Sequence, residues 1–504
     1  MGTVRSNNIS VKLAREATPG TIPTTAGGIV LMEPNAVPDI GADLTLVPRT
    51  PISKNRQERQ GDVVDLDSKL SIEADLTLHH LRMLIPAAVF AELTSVNGGT
   101  TGGKALGAPF YPTSVTATAY VVDADGALVQ GTLIKATGFV VAGNNGVKVV
   151  GAASDADEIK TSGLAAETVN QPTRAATVEI CGFQFATGDL EVDTDGSLKS
   201  TVKDFTDFGL LPGMGIHLGD DSDAAYSFTT ANDYGFARVL AVTAHKITVD
   251  KTDNTWAMDA GAAKTIRLLF GPWGRNVDVD HASWVMPSYT AEVEYPNLYS
   301  PDPGWQYSVG NVLDELVITL PLSNKATIRA NFVGMDTEEV TDTEETNWDA
   351  PREPRRTQAL NSSSRMKRLR IASGSSDITA YFKGLTLTFK NNVNPNKVIG
   401  QLGALDMNFG LFQVSFESQA VFTNGDLVSA VRANTTLTFD FAMRNNDGGF
   451  WVDIPSCYLG SAKPDAPVNE AVLVAVNGRA FQDTTFGYSV SVTYFPYLPA
   501  TSSV

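Results

Sequence analysis

Leu70-Ser71-Ile72-Glu73-Ala74-Asp75-Leu76-Thr77-Leu78 alternates apolar and polar residues and runs into His79–Phe90, a short apolar helix candidate. A long polar loop separates it from an earlier segment, Leu44-Thr45-Leu46. The same order returns far downstream. Leu385-Thr386-Leu387 precedes a polar loop holding Asn394 and Gly400, then Phe412-Gln413-Val414-Ser415-Phe416-Glu417, then a helix candidate from Asp426 to Ala433. Period-two alternation marks antiparallel strands with one face on a core and one toward water. A strand–loop–strand–helix unit present twice in one chain predicts a subunit that stacks on copies of itself, because repeat units bury their edges against neighbours.

Alternation recurs at 289–295, 316–320, 326–332, 385–389, 437–443 and 487–495. The expected class is all-β with minor α: two related β-sandwich or barrel units, each with one short helix. In the first helix Leu81, Leu84, Ile85 and Val89 form the apolar face, and Pro86 is expected to kink or end it. In the second, Leu427, Val428 and Val431 follow Asn424-Gly425-Asp426 as the cap.

The middle of the chain has a different texture, dense in Ala, Gly, Asp and Thr. It carries its own echo: Phe139 to Val149, with Gly146, matches Phe228 to Val239, with Gly235. Two small all-β modules, 112–173 and 174–270, are therefore expected as insertions into a loop, where insertions are tolerated. The first unit then comprises 1–111 and 271–345, and the second 371–504. Between them, 346–370 reads as a charged linker. Glu344 and Glu345 precede it and Arg352, Arg355 and Arg356 lie in it. These charges suit either a solvated connector or a contact between subunits.

The chain has 504 residues and a net charge of −18, from 56 acidic and 38 basic residues. Gripping nucleic acid requires the opposite sign. Cys181 and Cys457 offer no CxxC pair and point to a reducing compartment. No apolar run reaches the roughly 18 residues of a membrane span, and Met1-Gly2-Thr3-Val4-Arg5 lacks an apolar signal core. Gly98 to Lys104 fits part of a phosphate-binding loop, but Ala105 stands where the Mg²⁺-binding hydroxyl belongs. Asp123-Ala124-Asp125-Gly126 and Asp193-Thr194-Asp195-Gly196 read as hairpin turns, since a Ca²⁺ loop needs more ligands. His79, His80, His217, His245 and His281 show no metal-ligand spacing. No catalytic residue, metal or cofactor is expected.

Glu16-Ala17-Thr18-Pro19-Gly20-Thr21-Ile22-Pro23, Val47 to Gln57 and Gly61 to Asp67 open the first unit. Thr438-Phe439-Asp440-Phe441, Asn445 to Phe450, Asp453-Ile454-Pro455 and the final strand close the second. In this order they resemble the tail tube (major tail) proteins of long-tailed, non-contractile bacteriophages, over about 1–110 and 280–504. The resemblance implies homo-oligomeric rings stacked into a hollow tube, through which DNA passes during genome delivery without specific binding. A duplicated unit implies trimeric rings with pseudo-sixfold symmetry, decorated outside by the inserts. It further implies a virion component made in the host bacterial cytoplasm, with tape measure, terminator and distal-tail proteins as partners and no membrane.

The loops expected to reach the neighbouring ring are 47–69, centred on Asn55, Arg56, Gln57, Glu58 and Arg59, and 388–410, with Asn394 and Asn396. Arg56 and Arg59 are expected to meet an acidic surface there. A distal-tail or baseplate hub ring is the alternative. A secreted carbohydrate-active enzyme is a third reading, but no spacing singles out the paired carboxylates it needs.

Overall fold

The alternating segments fold into long antiparallel strands. The computed structural model describes residues 5, 8–25, 27–52, 54, 57, 59–94, 109–123, 127–152, 154–169, 176–299, 301–374, 376–378, 381–422, 425–465 and 471–500, with 376, 377 and 462 described in backbone only. The strands building the two halves are numbered here along the chain. The first half contains β1 (Ser10–Arg15), β2 (Ile29–Met32), β3 (Pro34–Arg49), β4 (Arg59–Asp75), α1 (Leu78–Val89), β5 (Ser288–Tyr299), β6 (Asp302–Pro321) and β7 (Thr327–Gly334). The second contains β8 (Met366–Ser373), β9 (Ser376–Asp377), β10 (Phe382–Lys390), β11 (Gln413–Val421), α2 (Asp426–Ala433), β12 (Leu437–Asn445), β13 (Gly448–Asp465) and β14 (Leu473–Ala480), and β15 (Ser491–Phe495) closes it.

The two halves pair their strands in the same order. β1 joins β2 and β5, β5 joins β6, β6 joins β7, β7 joins β4, and β4 joins β3. Likewise β8 joins β9 and β12, β12 joins β13, β13 joins β14, β14 joins β11, and β11 joins β10. The likeness extends to register. Thr319 faces Thr327 in the first half and Asp465 faces Leu473 in the second, a displacement of 146 positions on both strands. The ladder shifts between Leu313 and Glu315, and again between Leu459 and Ser461 at the same displacement. Bulges are specific local devices, so their repetition is a strong mark of common design.

Packing shows where the copies have diverged. Phe332 faces Leu70 in the first half, and the matching pair in the second is Gly478 facing Phe416. The aromatic ring has moved to the other strand. A Cβ at Gly478 would overlap the Phe416 ring, so the glycine makes room for the bulk placed opposite, as a close-packed interior demands. Phe416 then stacks on Phe439 at a 4.4 Å centroid distance.

Strands β6 and β10 join the halves, from Glu315 facing Lys390 to Pro321 facing Gly384. One apolar core runs through both, including Leu13, Ile72, Leu81, Ile318, Leu387, Phe439, Ile454 and Val476. Helix α1 begins where Thr77 accepts a hydrogen bond from the His80 amide, at 3.2 Å, which takes Leu76–Leu78 out of the alternating segment. Pro86 lies within the helix and does not end it; Phe90, in the left-handed conformation, does. Burial of Leu78, Leu81, Leu84, Ile85 and Val89 outweighs the one amide hydrogen bond that proline lacks. The last strand is shorter than its alternation predicts: Tyr488 lies before it, just past the 484–486 turn, its carbonyl accepting from the Asp483 amide at 3.0 Å.

Among the described residues the insert holds a four-stranded and a nine-stranded sheet. Thr132–Thr137 and Gly146–Val149 enter the larger sheet, Thr132–Thr137 pairing with Thr177–Gln184. One sheet therefore crosses the expected division at 173/174. Tyr120 and Ile134 from one side share a core with Phe183, Phe208 and Trp256 from the other. The Asp193–Gly196 stretch is a turn, with Gly196 donating to the Asp193 carbonyl at 3.0 Å.

Candidate assembly surfaces

Strands β3 and β4 pair from Pro34–Ala74 out to Arg49–Arg59. Among the described residues only the base of β4, Ser68–Asp75, has a second neighbour, β7. Beyond Leu66 the pair is a two-stranded arm, and it exposes Leu44, Leu46, Val47, Val63 and Val64, with Ile52 fully exposed at its end. An isolated two-stranded ribbon is marginal in water, and a run of exposed apolar side chains marks a contact surface. Arg49 and Arg59 face each other near the tip, a like-charge pair that favours an anionic partner. Gln57 is exposed there; Asn55, Arg56 and Glu58 lie outside the described residues.

The matching loop of the second half, 391–412, folds back instead. Asn394–Asn396 pairs with Asp406–Asn408, leaving Asn394 and Asn396 exposed. Asn391 donates to the Leu313 carbonyl at 2.9 Å, and the Val393 amide to Asp314 at 2.7 Å. Lys397 reaches across to the arm's base, 2.6 Å from both Asp65 and Asp67. The Lys397 hydrogen bond holds the Asp65 carboxyl below the usual range. The loop still presents Ile399, Leu402, Leu405 and Leu411 outward.

The linker arginines turn inward, away from solvent. Arg352 stacks on the Tyr111 ring at 3.8 Å, Arg355 donates to the Thr137 carbonyl at 2.8 Å, and Arg356 donates to the Tyr494 hydroxyl at 3.0 Å. Arg82 and Arg356 both pair with Glu179 of the insert, at 2.7 and 3.4 Å. Burial would raise the Glu179 carboxyl, but these guanidiniums hold it below the usual range. These residues line a cavity of about 460 Å³ between insert and core. A residue 9 % exposed, as Arg356 is, does not belong to a solvated connector. The linker reading missed this because the partner carboxylate lies far away in sequence. Glu344 pairs with buried Lys12 at 2.5 Å, while Glu345 is exposed.

A second ionic cluster, invisible in the sequence, fixes the insert to the second half. Arg238 and Lys251 converge on buried Asp453 at 3.1 and 2.5 Å, and Arg368 pairs with Asp440 and Asp253. Burial opposes the Asp453 charge, yet Lys251 and Arg238 keep its carboxyl below the usual range. His79 is pushed down to about 3 by burial and by its neighbour His80, and His217 to about 4 by burial. Among the described residues no group of three or more His, Cys, Asp or Glu side chains could hold a metal ion. The Gly98–Lys104 stretch lies outside the described residues, as do Ala124, Asp125 and Gly126.

Edges, arms and exposed apolar rows, with ionic clusters turned inward, are the surfaces of a structural subunit. Residues 6–486 match the family model of phage tail tube proteins, and the chain belongs to that family. It is thus a structural component of a bacteriophage tail. No curated protein matches the sequence. No helix among the described residues is long and apolar enough to cross a membrane.

Proposed function

We propose that this chain forms rings that stack into the tail tube, giving DNA a passage during genome delivery. The arm carries the reading: an apolar two-stranded ribbon, with Arg49 opposite Arg59 near its tip, suits insertion against the next ring. Two matching units per chain support trimeric rings with pseudo-sixfold symmetry. The chain's −18 charge disfavours adhesion of DNA to the passage wall. The tape measure, terminator and distal-tail proteins are the partners such a tube meets. In this reading the insert decorates the outer wall, and Asn394 and Asn396 face the adjoining ring.

Electron microscopy of the purified protein tests it. Hollow tubes of stacked rings are expected; monomers at every concentration would overturn the reading, and single unstacked rings would favour a distal-tail or hub role.

A further inference from the structure

We propose that a second copy of this chain adds its β3 to the open flank of β13, repeating between chains the joint that β6 makes with β10 within one. The inference rests on the ring reading and specifies its contact. Val312 of β6 faces Ser288 of β5 and Val333 of β7, so those strands lie on opposite flanks. Past Val312 the β5 flank passes to β10, at Glu315–Pro321. In β13 the β12 ladder ends at Cys457, one residue before the counterpart of Val312, and Cys457 faces Leu437 of β12 and Ala480 of β14. Past Cys457 the β12 flank has no strand among the described residues. Lys463, Pro464 and Asp465 are exposed there.

The missing strand has a free counterpart. β10 corresponds to β3, since each pairs with the strand preceding its half's helix. β3 pairs with β4 alone among the described residues, so its outer edge is open. Unpaired edges recruit strands, and a closed ring removes them. Pro38 and Pro464 sit on these two edges, where proline restricts indiscriminate pairing.

The internal joint also fixes the register. Leu387 faces Phe416 as Ile40 faces Leu70, and Phe416 and Leu70 face the equivalent Gly478 and Phe332. Glu315 facing Lys390 and Val317 facing Thr388 then translate into Ser461 facing Asp43 and Lys463 facing Gly41 of the next copy. Gly41 has open space around it and leaves room for the lysine stem. Asp39 and Asp43 lie on its two diagonals, within reach of a long side chain. Lys463 therefore sits between two carboxylates of its neighbour.

Disulfide trapping reads the register directly. The pair Ser461→Cys with Asp43→Cys, oxidised after assembly, is expected to give a ladder of covalently linked chains on non-reducing gels. The native Cys181 and Cys457 are buried and free and add no rungs. Ser461→Cys with Asp39→Cys, displaced by about 13 Å along the strand, should give none. Separately, Lys463→Glu should impair ring formation and Asp39→Lys with Asp43→Lys should restore it. Rings or tubes that form without the ladder and ignore Lys463→Glu would overturn this joint while leaving the ring reading intact. Failure of the unmodified protein to assemble would overturn the ring reading itself.

Discussion

The arm of the first half and the folded loop of the second occupy the same place in their units, between the same pair of strands, yet they have opposite fates. The arm continues its ladder past its last neighbour and leaves apolar side chains on a bare ribbon. The loop abandons the ladder after Lys390, pairs briefly with itself, and is tied to the body by Asn391, Val393 and Lys397. What separates them is where the backbone groups are satisfied: by a continuing partner strand in one, by buried side chains of the body in the other. Lys397 even makes the loop a brace for the arm's base.

Removing the arm should break the comparison outright. Replacing residues 45–64 with a short Gly/Ser turn should leave circular dichroism and melting nearly unchanged and abolish tubes seen by electron microscopy. Tubes of normal length from that variant would show that the loop alone suffices for stacking. Next in size, Leu44→Asp with Leu46→Asp should raise the protein concentration needed for tube growth by more than about tenfold, because each covered leucine contributes about 1.5–3 kcal/mol. Ile399→Asp tests the loop in the same sedimentation assay, and a single apolar site should give a shift of about tenfold. An unaffected Ile399 variant would assign stacking to the arm alone.

Acid should separate the core from the brace. His79 and His217 titrate at about 3 and about 4 in the folded chain, below the ordinary value of about 6.5. The unfolded state binds more protons, so their contribution to stability is full above about pH 6.5 and declines toward pH 4 and below. The Asp65 carboxyl is also depressed, but from an ordinary carboxylate value, so the Lys397 tie persists until the pH falls below about 4. Chemical denaturation midpoints at pH 7 and pH 5 should differ, and Lys397→Ala should shift both by the same small amount. A Lys397 effect that vanishes by pH 5 would contradict this assignment.

Alternation makes most of the sheet legible in the sequence, since a strand with one buried face must repeat every two residues. Strand β11 and helix α2 fell where their residues predicted, and the duplication was visible in Leu70–Leu78 and Phe412–Glu417 because a core face constrains those side chains in both copies. The surfaces were less legible. Polar 47–69 gave no sign that its flanks run as one continuous ribbon, because ladder length depends on a partner strand and not on local pattern. Arg352, Arg355 and Arg356 mislead for a related reason: a charge run does not show whether its partners are solvent or buried groups far along the chain, such as the Tyr111 ring, the Thr137 carbonyl and Glu179. Pro86 misled because helix propensity yields to tertiary burial.

In the proposed ring, the covalent passage from β7 to β8 makes one of every two joints between units intramolecular, as the joint of β6 with β10 already is. That joint forms at an effective concentration set by the tether and not by the amount of protein in solution, so only the alternate joints await a collision. Whatever number of chains closes the proposed ring, its count of units is even, and its two kinds of seam would differ in how readily they open. Fusion also frees the halves from identity. In such a ring, a single-unit subunit carrying this insert would display it at every position, whereas this chain would display it at every second one, leaving a gap beside each copy.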